Sequence, residues 1–218
     1  MADRADGTPL QLTEPGVWVE RVGGRVFPKH LPALFLDRDG TINVDTDYPS
    51  DPAEIVLRDN IMPAIAAANR AGVPVVVVTN QSGIARGYFD WSVFAEVNGR
   101  VLELLGDQGV LVDMVLACAY HEAGVGPLGL ADHPMRKPNP GMLIEAGRRL
   151  DLDLQRSLIV GDKLADMQAG KRAGLAQGWL VDGDAAVQPG FTIRRLHDRD
   201  DLAGLITAIE TIGGDNRS

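Results

Sequence analysis

Two kinds of segment alternate along most of the chain. Short, nearly continuous apolar runs recur at residues 33–36 (ALFL), 73–78 (VPVVVV), 113–117, 157–160 (SLIV) and 175–181. Runs of this length, rich in β-branched residues and lacking a polar face, predict strands buried on both sides. Between them lie longer stretches with apolar residues at helical spacing. These are 60–71, closed by Gly72; 91–105; 140–150, with Pro140 in the first turn; 163–173, stopped by Gly174; and 200–212. Buried strands alternating with helices predict an α/β fold with a central parallel sheet flanked by helices on both faces. No period of 20–50 residues repeats, and no large apolar insertion is present to build a separate cap domain. The expected division is an N-terminal extension, 1–30, and one domain, 31–218. Within the extension, VWVERVGGRVF (17–27) predicts either a hairpin turning at Gly23-Gly24 or a loosely attached arm.

Composition narrows the classes. At 218 residues, with 45% hydrophobic and 23% charged, the chain can build a sizeable core. Acidic residues outnumber basic ones 30 to 21, the net charge is -9, and no long basic run appears. Sequence-independent nucleic-acid binding needs clustered Lys and Arg, so a nucleic-acid partner is not expected. The single cysteine, Cys118, excludes an intramolecular disulfide and fits a reducing compartment. The opening MADRADGTPL lacks the apolar core of a signal peptide, and runs such as 75–78 are too short to span a bilayer. A cytoplasmic protein without membrane contact, and a monomer, is the expectation.

In open α/β sheets ligands bind at the carboxyl ends of the strands. The segments that follow the predicted strands are DRDGTIN, TNQSG, a Cys/His loop ending in RKP, and GDKLAD. Asp37, Asp39, Asp162 and Asp166 would crowd one crevice with carboxylates that cannot coexist there unpaired. An all-oxygen set points to a hard divalent cation, and Mg2+ commonly combines one or two carboxylates with phosphate and water. Lys137 and Lys163 add positive charge, and Thr79, Asn80, Gln81 and Ser82 supply hydroxyl and amide groups. These parts suit a phosphoryl group whose oxygens change charge during reaction. Asp37 could then attack phosphorus, and Asp39 could protonate the leaving alcohol and later deprotonate water. The competing reading of the same residues is turn and N-cap chemistry, common for Asp, Thr and Asn.

Taken together, DxDGT, the strand-terminal Thr79, the loop Lys137 and GDxxxD (161–166), in order over about residues 33–183, resemble the haloacid dehalogenase (HAD) superfamily of phosphatases. The resemblance implies a Rossmann-like HAD fold. It makes Asp37 the nucleophile, Asp39 the acid/base, and Thr79 and Lys137 the groups that hold the phosphoryl oxygens. It assigns Mg2+ to Asp37, Asp162 and the backbone carbonyl of Asp39. Asp166, on the first turn of a helix, is expected to favour the helix dipole or orient Lys163 rather than bind metal. FLDRDGTIN, VVVTNQSGIARGYF, RKPNPGM and VGDKLADMQAG are similar to the D-glycero-D-manno-heptose 1,7-bisphosphate 7-phosphatases, near relatives of the histidinol-phosphatases. That similarity implies a small phosphorylated sugar as substrate. It places substrate contacts at residues 45–48, Asp45, Asp47 and Tyr48 among them, and at Asn80, Gln81 and Ser82, with Arg136 on a second phosphate, where its fork binds bidentately; Lys163, from its charge, is a further candidate contact. Histidinol phosphate is the alternative substrate, and a non-hydrolytic phosphate or Mg2+ binding module is the alternative of a different class.

The chain departs from its relatives at their structural zinc loop, a Cys-x-His pair followed by a Cys-x-Cys pair before Arg-Lys. The matching positions are Cys118, Tyr120, His133 and Met135. Tyr and Met are poor zinc ligands, so the loop 120–135 is expected to pack without metal; Cys118, His121, Asp132 and His133 form the alternative set. His30, His121 and His197 have no evident partner in the sequence, and Trp18, Trp91 and Trp179 are expected to serve packing.

Overall fold

The computed structural model describes residues 11–214, so the first ten residues, read for a signal peptide, lie outside the described residues. In chain order its elements are β1 (Leu12–Glu14), β2 (Val17–Arg21), β3 (Leu34–Leu36), α1 (Met62–Ala71), β4 (Val75–Asn80), α2 (Ser82–Ala85), α3 (Trp91–Asp107), β5 (Met114–Cys118), α4 (Gly141–Leu150), β6 (Leu158–Gly161), α5 (Leu164–Arg172), β7 (Gln177–Val181), β8 (Ala186–Gln188), β9 (Phe191–Leu196) and α6 (Arg199–Gly214). The strands form one sheet in the order β1-β2-β5-β4-β3-β6-β7-β9-β8. Every pairing from β5 across to β9 is parallel. The outer pairings, β1 on β2, β2 on β5 and β8 on β9, are antiparallel.

The strand period of two sends alternate side chains to opposite faces. Leu34, Leu36, Val75, Val77 and Val160 face a core closed by α1, α3 and α6. Phe35, Val76, Val78 and Ile159 face a second core closed by α4 and α5. In register, Phe35 lies opposite both Val76 and Ile159, so β3 is covered on both faces and paired on both edges. This is why its three residues are uniformly apolar, and why the charged residues begin at Asp37, where the strand emerges.

The structure corrects the N-terminal reading. The hairpin turns at Pro15-Gly16, not at Gly23-Gly24, and β2 continues the sheet along β5. Trp18 is fully buried, stacked on Trp91 at 5.9 Å and edge-on to Phe94 at 5.3 Å, so this segment is no loose arm. Beyond Gly23-Gly24 the Arg25 guanidinium grips Asp113 through two hydrogen bonds of 2.8 and 2.9 Å. Asp113 also accepts the Val75 amide, tying the segment to the start of β4. The second correction concerns β8 and β9: β9 adds a further parallel strand beyond β7, and β8 closes that edge antiparallel, so that with β1 and β2 at the other edge the sheet is mixed. β9 alternates buried Phe191 and Ile193 with half-exposed or exposed Thr192 and Arg194, a half-covered pattern that does not read as a continuous apolar run. The histidines do have partners: His30 meets Asp151 at 3.3 Å, His197 meets Asp182 at 2.9 Å and His121 meets Arg86 at 3.2 Å. Each pair joins loops distant in sequence. All three tryptophans are buried. No described helix is long and apolar enough to cross a membrane.

Candidate active site

The carboxyl ends of β3, β4 and β6 open onto one cleft of about 210 Å3. Asp37, Asp39, Asp45, Tyr48, Thr79, Asn80, Gln81, Ser82, Arg136, Lys137 and Lys163 all line it. Asp162 stands at its edge, where its carboxylate comes within 4.8 Å of those of Asp37 and Asp166. The four strand-end segments therefore converge as their positions in the sequence suggest.

At the floor of the cleft sits Lys137. Its Nζ lies 2.9 Å from Asp37 Oδ1 and 2.6 Å from Asp166 Oδ1, and it donates to the Val78 carbonyl at 2.7 Å. Burial alone would discharge this amine, but Asp166 and Asp37 outweigh it and hold Lys137 above the ordinary lysine range. Burial pushes Asp37 up to about 6; Lys137 opposes the shift and Asp166 adds to it. Asp162 also rises to about 6, through burial and then the Asp37 charge. One ammonium thus faces several carboxylates, and the bare site carries an excess of negative charge.

Asp39 is held in a different way. Its Oδ1 accepts from Arg38 Nε at 3.0 Å and Asn43 Nδ2 at 3.0 Å; its Oδ2 accepts from Arg38 Nη2 at 3.0 Å and Gln81 Nε2 at 2.8 Å. Burial raises its pKa, yet Arg38 and these donors prevail and keep the carboxyl below its ordinary value. Arg38 is itself buried and lies over the Phe94 ring at 5.2 Å.

The remaining predicted residues divide between cleft walls and fastenings. Gln81 donates to Thr79 Oγ1 at 2.9 Å as well as to Asp39, so its amide links the two groups. Asn80 brackets the Lys137 backbone, accepting its N–H at 3.1 Å and donating to its carbonyl at 2.9 Å. Both side chains point to protein partners, although each still lines the cleft. Lys163 reaches Asp45 at 3.3 Å and Asp162 at 3.8 Å. Asp166 caps α5 by accepting the Lys163 amide at 3.0 Å, while its other oxygen holds Lys137. It thus orients Lys137 rather than the Lys163 side chain. Tyr48 has φ +65°, a strained value for a side chain of its size, and its ring packs over Gly83 and edge-on to Tyr88 at 5.0 Å.

Comparison with known proteins supplies the lineage. A HAD-hydrolase-like family model matches residues 134–189, a span that takes in Lys137 and Asp162 but not Asp37. The D-glycero-beta-D-manno-heptose-1,7-bisphosphate 7-phosphatase of Mesorhizobium japonicum is 82% identical over 218 residues, the full length of both chains. The chain belongs to the heptose-bisphosphate 7-phosphatase family of HAD-like hydrolases. A Burkholderia mallei member, named for the alpha anomer, is 42% identical over 156 residues, 71% of this chain and 82% of that one. The crystal structure of D,D-heptose 1.7-bisphosphate phosphatase from B. bronchiseptica, complexed with magnesium and phosphate, superimposes with a TM-score of 0.67 at 32% identity, covering 83% of this chain and 99% of that chain.

In this family member the donor set fits a hard cation. Asp37 and Asp162 offer carboxylate oxygens, and Asp162 Oδ1 is buried with no hydrogen-bond partner in the protein. Gly40, at φ +85°, has no Cβ; one built there would overlap the Asp162 carboxylate. Asp166 belongs to the same acidic group, but its Oδ2 accepts the Lys163 amide and its Oδ1, though it makes no hydrogen bond, is ion-paired with Lys137 at 2.6 Å.

At the positions matching the zinc loop, other contacts operate. Cys118 is fully buried in β5. The Tyr120 ring stacks on His133 at 3.9 Å, and His133 Nδ1 accepts the Met135 amide at 3.2 Å.

Arg38 and Asn43 were not singled out by the sequence reading, though both contact Asp39. Their only signals are position: Arg38 stands between the two carboxylates, and Asn43 follows Asp39 by four residues. Asp47, within the 45–48 segment expected to meet substrate, lines the cleft too, as do Pro49 and Ala165, which carry no signal of their own in the sequence.

Proposed function

We propose that the chain is a Mg2+-dependent phosphoric monoester hydrolase that removes the 7-phosphate of D-glycero-β-D-manno-heptose 1,7-bisphosphate by way of an aspartyl-phosphate on Asp37. The observation that carries this reading is the pairing of two differently held carboxylates across one cleft. Asp37 is buried beside a cationic Lys137, and Asp39 is saturated by donors two residues on. The 82% identical relative, named for the beta anomer, supports the choice of sugar.

Asp37 attacks phosphorus in line with the departing sugar oxygen. A P–O bond to the carboxylate forms as the bond to the sugar breaks, and Asp39, entering the step with the proton it took from water in the preceding turnover, passes that proton to the departing alkoxide and returns to the ionised form that Arg38 and Gln81 hold. Water then attacks the aspartyl-phosphate. Asp39 takes its proton, inorganic phosphate leaves and the Asp37 carboxylate is restored. Lys137 and the Thr79 hydroxyl are donors for the phosphoryl oxygens, whose charge shifts in both steps. Asp37, Asp162 and the Asp39 carbonyl would hold Mg2+, which when bound keeps the carboxylates ionised and offsets charge on the transferring group. Arg136 and Lys163, on the cleft wall, serve the far end of the bisphosphate, with Asp45 and Tyr48 beside the sugar. Asn80 and Gln81 act by fastening Lys137, Thr79 and Asp39. The catalytic domain of this reading is 31–218, completed at one sheet edge by β1 and β2, and it works as a cytoplasmic monomer.

The test is kcat/KM, with Mg2+, for both anomers of the heptose bisphosphate and for histidinol phosphate. The β anomer should be preferred over the other two. A large preference for histidinol phosphate would overturn the substrate, and failure of beryllium fluoride to form an adduct on Asp37 would overturn the chemistry.

A further inference from the structure

The N-terminal hairpin lies against the loop that carries Arg136. Between β1 and β2 the chain passes Gly16, and the Tyr120 ring lies flat over it: a Cβ on Gly16 would meet three ring carbons at 2.6–2.8 Å. The Gly16 carbonyl accepts the Ala119 amide at 2.8 Å, just before the loop begins. On its other side Tyr120 stacks on His133 with ring centroids 3.9 Å apart. His133 Nδ1 accepts a backbone amide, which leaves the proton on Nε2, and Nε2 faces Glu14 of β1 at 3.4 Å. One hairpin thus touches both members of the stack.

The stack in turn sets Arg136. Arg136 Nη1 donates to the Tyr120 carbonyl at 3.0 Å, and its amide donates to the His133 carbonyl at 2.9 Å. The two residues joined by the stacked rings therefore hold the guanidinium and the backbone of the same arginine. Tyr120 and His133 stand at opposite ends of a loop that contains several glycines and only one turn of 3-10 helix, 126–128. Such a segment has little internal structure to fix its ends together. The clasp of Glu14, Gly16, Tyr120 and His133 supplies that fixation from outside.

We propose that the N-terminal hairpin is a positioning element of the substrate site: through Gly16 and Glu14 it seats the Tyr120–His133 stack, which aims Arg136 at the distal phosphate. This rests on the reading of Arg136 given under Proposed function. Loosening the clasp should raise KM for the bisphosphate while leaving the reacting end, Asp37, Asp39 and Lys137, in place.

The experiment uses the full chain with Gly16→Val, Tyr120→Ala and Tyr120→Phe. Gly16→Val displaces the ring from the hairpin side, Tyr120→Ala removes it, and Tyr120→Phe keeps the stack. Steady-state kinetics are measured on the heptose bisphosphate and on p-nitrophenyl phosphate, which lacks a second phosphate. Hydrogen exchange of the loop amides gives a readout that needs no substrate. The expected result is a KM for the bisphosphate raised on the order of 10- to 100-fold in Gly16→Val and Tyr120→Ala, the scale of a misplaced positioning group. Values for p-nitrophenyl phosphate should stay at the wild-type level, Met135 and Arg136 amides should exchange faster, and Tyr120→Phe, which keeps the stack but loses the hydroxyl's bond to the Gly16 backbone, should stay closer to wild type than Tyr120→Ala in both readouts. Wild-type exchange in the loop of both disruptive variants overturns the inference, as does faster exchange with an unchanged KM. A wild-type protein that exchanges as expected but does not hydrolyse the bisphosphate overturns the functional reading instead.

Discussion

Replacing Asp39 by Asn changes one atom and should have two separable effects. The carboxylate accepts two hydrogen bonds on each oxygen: Arg38 Nε and Asn43 on Oδ1, Arg38 Nη2 and Gln81 on Oδ2. An amide presents –NH2 on one side, so whichever way it turns, two donors face a donor. The buried Arg38 guanidinium also loses its counter-charge. Removing one partner of a buried ion pair costs about 3–5 kcal/mol, and the low end applies because the Asp39 side chain keeps 14% of its exposure. Urea unfolding should therefore show a loss of roughly 3 kcal/mol. Catalysis should fall separately, by about 10^2–10^4 in kcat on a sugar phosphate, or about 2.7–5.4 kcal/mol at 1.36 kcal/mol per decade. An aryl phosphate distinguishes a catalytic defect from a folding defect, since its leaving group needs no proton. The variant should release about one equivalent of phenol per site in a burst and then turn over slowly, because water still lacks a base. Normal kcat on the sugar phosphate would refute the acid/base role. Unfolding within about 0.5 kcal/mol of wild type, the size of an ordinary surface change, would refute the ion-pair reasoning.

Other outcomes follow from the same geometry. Gly40→Ala forces a methyl into the Asp162 carboxylate at φ +85°; it should cost about 1–2 kcal/mol from backbone strain alone and weaken Mg2+ binding by calorimetry, and unchanged Mg2+ affinity would contradict the assignment of Asp162. Chelation with EDTA should abolish activity until Mg2+ is restored, and Mg2+ at 100 times its Kd should add about 2.7 kcal/mol of stability; a melting temperature independent of Mg2+ would count against the site. Trp18→Ala should cost about 3–5 kcal/mol, since Trp18 is fully buried between Trp91 and Phe94; a much smaller loss in chemical denaturation would mean that the hairpin detaches at little cost. Burial pushes the Cys118 thiol up to about 12, so it should resist alkylation in the folded protein at pH 8. The unfolded thiol ionises near its ordinary pKa of about 8.5 while the folded one stays protonated. Stability is therefore intact below that value and declines as pH rises toward 12, by up to about 1.4 kcal/mol per pH unit. Rapid native-state alkylation would refute the burial.

Much of the site was legible because its residues are tied to strand ends. A short apolar run such as LFL, alternating with helical segments along the chain, reads as a doubly covered strand, which puts the first charge after it, Asp37, at the sheet's rim. The same holds for Thr79, next to last in β4, and Asp162, which follows β6. Where covering was partial, the signal failed: β9 pairs with β7 yet alternates buried with exposed residues, and its arginines hid it. The N-terminal hairpin was misread because Gly23-Gly24 is the stronger local turn signal. Burial of Trp18 against α3, a contact between segments far apart in sequence, decided the matter.

Patterning by itself determined which residues lie on the rim and which two faces of the sheet are apolar, because period and burial are local properties. Tertiary structure alone decided which donor meets which acceptor. Asn80 lines the cleft as expected but its amide also brackets the backbone of Lys137, and Asp166 holds Lys137 rather than the Lys163 side chain. A hydrogen bond is made or lost within a few tenths of an ångström, whereas a sequence period resolves no more than the side of an element on which a group sits.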